Sequence, residues 1–311
     1  MLKLAIVVPC YNEEAVLGET SKRLAAILRA LEDKQKIAPG SAVYFVDDGS
    51  RDRSWPMIEA LAREYPSVHG IKLSRNQGHQ NALLAGLFTA EGDAVISVDA
   101  DLQDDLSAIE EMIDAHVAGS EIVYGVRRSR RLDSFGKRAT AELYYRVLGM
   151  MGVEIVFNHA DYRLMGRRAI EALKAFDEVN LFLRGIIPQL GFRTSVVHYD
   201  RGERFAGESK YPVGKMLGLA IQGVTSFSAV PLRMITVLGL FVAALSLAGT
   251  AWVLWVRLFT TSSVPGWAST LVPVYFLGGI QLLCIGIIGE YLAKIYLETK
   301  RRPRYTIEKV L

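Results

Sequence analysis

Cysteine is nearly absent: Cys10 and Cys284 are the only two among 311 residues. Neither has a partner at metal-ligand spacing, so no disulfide framework or zinc site is indicated, and a reducing compartment is consistent with the pair. Surplus charge of one sign is lacking too. Lys and Arg number 36 against 33 Asp and Glu, a formal net charge of +3 that gives a nucleic-acid-binding reading no support. At the N-terminus, Met1 to Pro9 is too short an apolar run and has no cleavage site, so it does not read as a signal peptide.

Long uncharged runs are present instead. Half the residues (50%) are hydrophobic and mean hydropathy is +0.21, yet 22% are charged, a mixture that predicts a water-soluble part joined to a membrane part. No charged residue occurs from Met234 to Val256, nor from Leu258 to Gly289. These runs predict a transmembrane hairpin, with helices near 233–256 and 270–293 joined by a loop containing Pro265 and Gly266. Lys210, Lys215 and Arg233 flank one outer end and Lys294, Lys300, Arg301, Arg302 and Arg304 the other, while the connection carries little beyond Arg257. By the positive-inside rule both termini are cytoplasmic and the protein is multi-pass in the inner (plasma) membrane. Residues 213–231 mix apolar positions with Lys215, Gln222 and Ser226, which predicts an interfacial amphipathic helix. That leaves residues 1–212 as a cytoplasmic water-soluble domain, 232–298 as the membrane part and 299–311 as a cytoplasmic tail.

Within residues 1–212, short β-branched runs alternate with amphipathic segments. Residues 4–8 predict a strand ended by Pro9, with Asn12 capping the helix that follows. Strands follow at 42–46, 71–73, 94–98 and 121–125, separated by helices, so the expected class is α/β: a mostly parallel sheet with helices on both faces. Further on, 133–151 predicts an amphipathic helix, 161–165 a short segment, 167–175 a helix and 192–199 an edge strand. A parallel sheet sets the C-terminal ends of its strands on one edge, where ligands bind. Asn12/Glu13, Asp47/Asp48 and Asp99/Asp101 should therefore converge there.

Asp99, Asp101, Asp104 and Asp105 put four carboxylates in seven residues. Such crowding is costly unless a cation sits among them, and oxygen-only ligands suit Mg²⁺ or Mn²⁺. Asp104 and Asp105, just before an apolar helix, also suit its N-cap. His79 and His159 read as hydrogen-bonding loop histidines. The 201–211 segment, with Gly202 and Gly207 among dense charge, reads as a loop able to close over an anion.

Pro9-Cys10-Tyr11-Asn12-Glu13, Val46-Asp47-Asp48-Gly49-Ser50 and Asp99-Ala100-Asp101-Leu102-Gln103-Asp104, a DxD motif, together resemble the motif series of family 2 glycosyltransferases with a GT-A (Rossmann-like) fold. The Arg201–Tyr211 loop and the apolar C-terminal pair narrow the likeness to polyprenyl-phosphate glycosyltransferases, most like bactoprenol glucosyltransferases and more distantly dolichol-phosphate mannosyltransferases. No Gln-x-x-Arg-Trp motif is present, which argues against a processive synthase. The resemblance implies that Pro9, Tyr11, Glu13, Asp48, Asp99 and Arg204 bind the nucleotide sugar, and that Asp99, Asp101 and Gln103 hold the metal. It implies that Arg127, Arg201 and Lys210 face the acceptor phosphate, and that Asp161, with Asp101, Arg127 and Lys210, serves catalysis. The implied reaction is inverting transfer of a hexose, glucose from UDP-glucose, to undecaprenyl phosphate at the cytoplasmic membrane face, feeding cell-envelope glycosylation by a homo-oligomer, a tetramer by likeness. GDP-mannose or another UDP-sugar is the alternative donor, and a membrane-anchored nucleotide-sugar-binding protein the alternative without catalysis.

Overall fold

The first half of the chain alternates strand and helix: β1 (Leu4–Cys10), α1 (Leu17–Asp33), β2 (Ala42–Asp47), α2 (Ser54–Glu64), β3 (Val68–Leu73), α3 (His79–Thr89), β4 (Ala94–Ser97), α4 (Ala108–Val117) and β5 (Ile122–Arg127). Then come β6 (His159–Gly166), α5 (Arg167–Lys174), α6 (Leu183–Gln189), β7 (Thr194–Tyr199), two long helices α7 (Val230–Phe259) and α8 (Trp267–Thr299), and β8 (Ile307–Val310). This computed structural model describes residues 1–128, 159–179, 182–200, 230–259 and 266–311. The helix expected over 133–151, most of the interfacial helix at 213–231, and Arg201, Arg204 and Lys210 lie outside the described residues.

All eight strands join one sheet in the order β7-β5-β6-β4-β1-β2-β3-β8. β1 pairs in parallel with β2 and β4, β2 with β3, and β5 with β7, whereas β6 and β8 run antiparallel to their neighbours. Period-2 alternation along β1 feeds two cores. Ile6 and Val8 pack with Leu24 and Leu28 of α1, Ile58 of α2 and Ile109 and Met112 of α4. Val7 turns the other way, to Leu83, Leu84 and Leu87 of α3 and Ile170 of α5. The mostly parallel sheet covered on both faces is as the sequence predicts.

Four local expectations change. β1 runs through Pro9 to Cys10 rather than ending at Pro9. A proline without an N–H is tolerated there because β4's last partner in β1 is Val7, so no ladder bond is lost. Asn12 is no helix cap: α1 starts only at Leu17, and Asn12, in the left-handed region with φ 54°, accepts the Arg51 N–H at 2.8 Å. Residues 161–165 belong to a strand buried inside the sheet. The C-terminal segment returns as β8 on the edge of β3, held by Lys72–Glu308 and Lys309–Glu59 pairs at 2.9 and 2.8 Å.

The two apolar runs form α7 and α8, of 30 and 33 residues, or about 45 and 50 Å along the axis. Among the described residues one stretch, Phe276–Thr299, with mean hydropathy 1.7, is long and apolar enough to cross a membrane. Both helices leave large apolar side chains exposed, among them Leu240, Phe241, Leu282 and Leu283.

Gly49 closes the turn after β2 with φ +66°, and a Cβ there would lie 2.5 Å from both the Arg75 carbonyl carbon and the Asn76 nitrogen. Strain and clash fall on rigid backbone. Gly49→Ala is expected to lower stability by about 2–4 kcal/mol, read as a fall in the thermal unfolding midpoint.

Candidate active site

Antiparallel β6 builds the centre of the site. Its ladder with β4 runs from Ala94↔Gly166 to Ser97↔Arg163. Two residues further in the same register, Asp99 comes opposite Asp161, and period-2 alternation puts Asp161 on the face that carries Arg163. The Ser97 hydroxyl donates to the Asp161 carbonyl and fastens the two strands at this point.

Three cations converge on the Asp161 carboxylate. Arg163 Nη2 donates to Oδ1 at 2.5 Å, Arg184 donates from Nε and Nη2 at 3.3 Å each, and His79 Nε2 lies 3.5 Å from Oδ2. Burial opposes ionisation of Asp161, but Arg184, His79 and Arg163 outweigh it and hold the carboxyl well below the usual carboxylate range. His79 also sits 3.8 Å from Asp99 Oδ1. Burial would lower its pKa, yet Asp161 and Asp99 lift it to about 9, so the imidazole is cationic at neutral pH. Asp99 is pushed up by burial and by Asp161 and Asp101, with His79 pulling the other way. Negative charge is crowded where the sequence predicts it, with a histidine as part of its balance.

The DxD turn is pinned from both sides. Leu102 adopts φ 56°, Thr20 Oγ1 donates to the Ala100 carbonyl at 2.9 Å, and the Gln103 N–H reaches Asp101 Oδ1 at 3.2 Å. Asp105 caps the turn into α4 through the Ser107 N–H at 2.9 Å, as an N-terminal capping role predicts. Asp104 does not. It is 4% exposed and accepts the Tyr199 hydroxyl at 2.5 Å, with Arg127 Nη2 3.7 Å away and Arg127 Nε donating to Tyr199 Oη at 3.2 Å. Burial and the nearby Asp99 push Asp104 up to about 6, against the Tyr199 hydrogen bond. Arg127, expected at a phosphate, thus braces the DxD turn through Asp104 and Tyr199. Tyr199→Phe removes the donor to a buried carboxylate and is expected to cost about 1–3 kcal/mol in urea unfolding.

On the other side of β1, two loops brace one another. The N–H groups of Asn12 and Glu13 donate to Ser50 Oγ and Ser54 Oγ at 3.0 and 2.9 Å, and partly buried Tyr11 stands beside them after buried Pro9. Asp48 is 2% exposed and its carboxylate accepts the N–H groups of Gln77 and Gly78 at 2.7 and 2.9 Å. Its contribution here is to fold the loop that delivers His79.

Asp99 and Asp101 supply hard carboxylate oxygens at a crowded negative site, which fits a divalent cation such as Mg²⁺ or Mn²⁺. Among the described residues no three or more His, Cys, Asp or Glu side chains are grouped to hold a metal, so further ligands would have to come from water, Gln103 or substrate oxygens.

The model of glycosyl transferase family 2 matches residues 5–174, which span β1 through α5 and include Asp48, Asp99, Asp101 and Asp161. The chain belongs to glycosyl transferase family 2. This glycosyltransferase is 50% identical over 308 residues to the uncharacterized glycosyltransferase YkoT of Bacillus subtilis (strain 168), covering 98% of this chain and 91% of that one. It is 41% identical over 310 residues to the SfII prophage-derived bactoprenol glucosyl transferase of Shigella flexneri, covering 99% and 98%. Among solved structures, glucosyl-3-phosphoglycerate synthase from Mycobacterium tuberculosis, in complex with Mn²⁺, uridine-diphosphate and phosphoglyceric acid, is similar over 72% of this chain and 76% of that one, with 16% identity and a TM-score of 0.45.

The structure of the glycosyltransferase brings together Asp99, Asp161 and two residues that the sequence did not single out as site residues, His79 and Arg184. His79 follows a loop glycine and begins α3, which resembles an ordinary loop histidine. Arg184 lies in a stretch with no motif. One signal was available for the strand: His159-Ala-Asp-Tyr-Arg-Leu-Met-Gly166 alternates polar and apolar side chains at its centre.

Proposed function

We propose that this glycosyltransferase transfers glucose from UDP-glucose to undecaprenyl phosphate with inversion, at the cytoplasmic face of the inner membrane. The observation that carries the reading is the 41% identity to a bactoprenol glucosyl transferase over 99% of this chain, taking in the sheet, the DxD turn and both apolar helices.

The acceptor is a phosphate monoester whose second pKa is about 6, so it is largely dianionic at neutral pH and scarcely needs a general base. Asp161 accordingly acts through position and charge. Locked by Arg163, it holds Arg184 and His79 at the sheet edge, and Arg184, 38% exposed, can meet a donor or acceptor phosphate. Asp99 and Asp101 would hold the divalent ion with Gln103, and that ion, when bound, supplies Lewis-acid stabilisation of the leaving diphosphate. Pro9, Tyr11 and Glu13 frame the nucleotide side, and Arg201, Arg204 and Lys210 are proposed for phosphate contact.

Membrane placement follows the same reading. β8 rejoins the sheet after α8, and this return supports a reading in which the two apolar helices form a hairpin with both termini cytoplasmic. A tetramer is proposed from the family likeness alone.

Purified full-length protein in lipid nanodiscs, given labelled UDP-glucose, Mg²⁺ or Mn²⁺ and undecaprenyl phosphate, should place label in the lipid fraction. GDP-mannose in parallel decides the donor. No lipid-soluble label from any nucleotide sugar would overturn the reading in favour of a binding protein.

A further inference from the structure

The C-terminal end of α8 is tied to the chain that leads into the transfer site. Glu298 Oε2, in the last turn of α8, accepts the Val179 N–H at 2.8 Å. Just beyond the helix, Arg304 donates to the Phe176 carbonyl and lies 3.9 Å from Asp177 Oδ1. Both contacts fall on residues 176–179, which follow α5 and precede α6 in the chain.

Two residues separate Val179 from Phe182, so these positions can be no more than about 11 Å apart. Phe182 is the N-cap of α6, whose second residue is Arg184. The start of α6 is held from the opposite side by Gln80 Oε1, which accepts the Leu183 N–H at 3.0 Å and comes from the residue next to His79. Arg184 then reaches Asp161 through two hydrogen bonds. Described contacts therefore stand at both ends of this short connection, Glu298 and Arg304 on 176–179 and Gln80 and Asp161 on the start of α6.

We infer that Glu298 is a positioning residue for the transfer reaction: by holding Val179 it sets α6 so that Arg184 stays against Asp161, which makes the seating of α8 part of active-site geometry. This rests on the proposed function for its kinetic readout and on the contacts alone for its structural one. Burial, Glu298 and Arg304 all act on the Glu178 carboxyl, the first two raising its pKa and Arg304 lowering it.

The test compares Glu298→Ala with Glu298→Gln in full-length protein in nanodiscs, each with and without Arg184→Ala. Glutamine keeps an acceptor oxygen for the Val179 N–H and should restore near-normal behaviour. Glu298→Ala should lower kcat/KM for the lipid phosphate about 10-fold, leave KM for the sugar nucleotide unchanged, and have less than about a twofold effect once Arg184 is already alanine. An equal loss in both backgrounds, or no loss, would overturn the inference. Hydrogen exchange gives an answer independent of chemistry: peptides over 182–187 should exchange faster in Glu298→Ala and at the parent rate in Glu298→Gln. Unchanged exchange in Glu298→Ala sinks the coupling even if the enzyme transfers sugar, and absence of transfer in the parent protein sinks the proposed function while leaving the exchange result decisive.

Discussion

Asp161→Ala is expected to unfold with about 3–5 kcal/mol less stability than the parent protein, and to lose transfer activity as well. The reason is Arg163. Its side chain is 1% exposed in the interior of the sheet, its Nη2 lies 2.5 Å from Asp161 Oδ1, and among the described residues its Nε and Nη1 have no hydrogen-bond partner. Deleting the carboxylate strands a buried guanidinium. Asp161→Asn keeps shape and one acceptor but not the charge, so it should fall between alanine and parent in denaturant midpoint. Replacing both members, as in Asp161→Asn with Arg163→Met, should recover part of the loss, because a buried pair costs more to break than to replace by apolar packing. A parent-like midpoint for Asp161→Ala would show that Arg163 is not dependent on this carboxylate.

Asp99→Ala and Asp101→Ala should separate activity from stability in the opposite sense. Each is expected to lower kcat/KM on the order of 10²-fold or more, with chelator abolishing the parent activity and Mg²⁺ or Mn²⁺ restoring it. Folding should not suffer. Burial and the neighbouring carboxylates raise the pKa of Asp99 in the folded state, so its ionised form weighs against folding at neutral pH. Removing it relieves that repulsion, and the thermal midpoint of Asp99→Ala should equal or exceed the parent's, the signature of a site strained for function. At pH 8, where the acceptor is dianionic, Asp161→Asn should lose less activity than either alanine variant, once corrected for folded fraction. Full activity in the presence of chelator would remove the metal from the account.

Strand and helix alternation, the burial of both sheet faces, the edge strand near 192–199, the long apolar helices and the strand-end clusters at Asp47/Asp48 and Asp99/Asp101 can all be read from the chain alone. These are local properties: period 2, period 3.6, and composition over a window of residues. Tertiary structure decided what those clusters face. Asp99 meets Asp161 only because β6 inserts antiparallel between β4 and β5, a register between segments more than 60 residues apart that no local periodicity encodes. The same holds for the return of Ile307–Val310 to β3, for Tyr199 and Arg127 closing on Asp104, and for Arg184 and His79 sharing one carboxylate. Side-chain charge could be read from the chain, but its balance depended on which strands became neighbours, because Coulomb energy follows distance in space rather than separation in sequence.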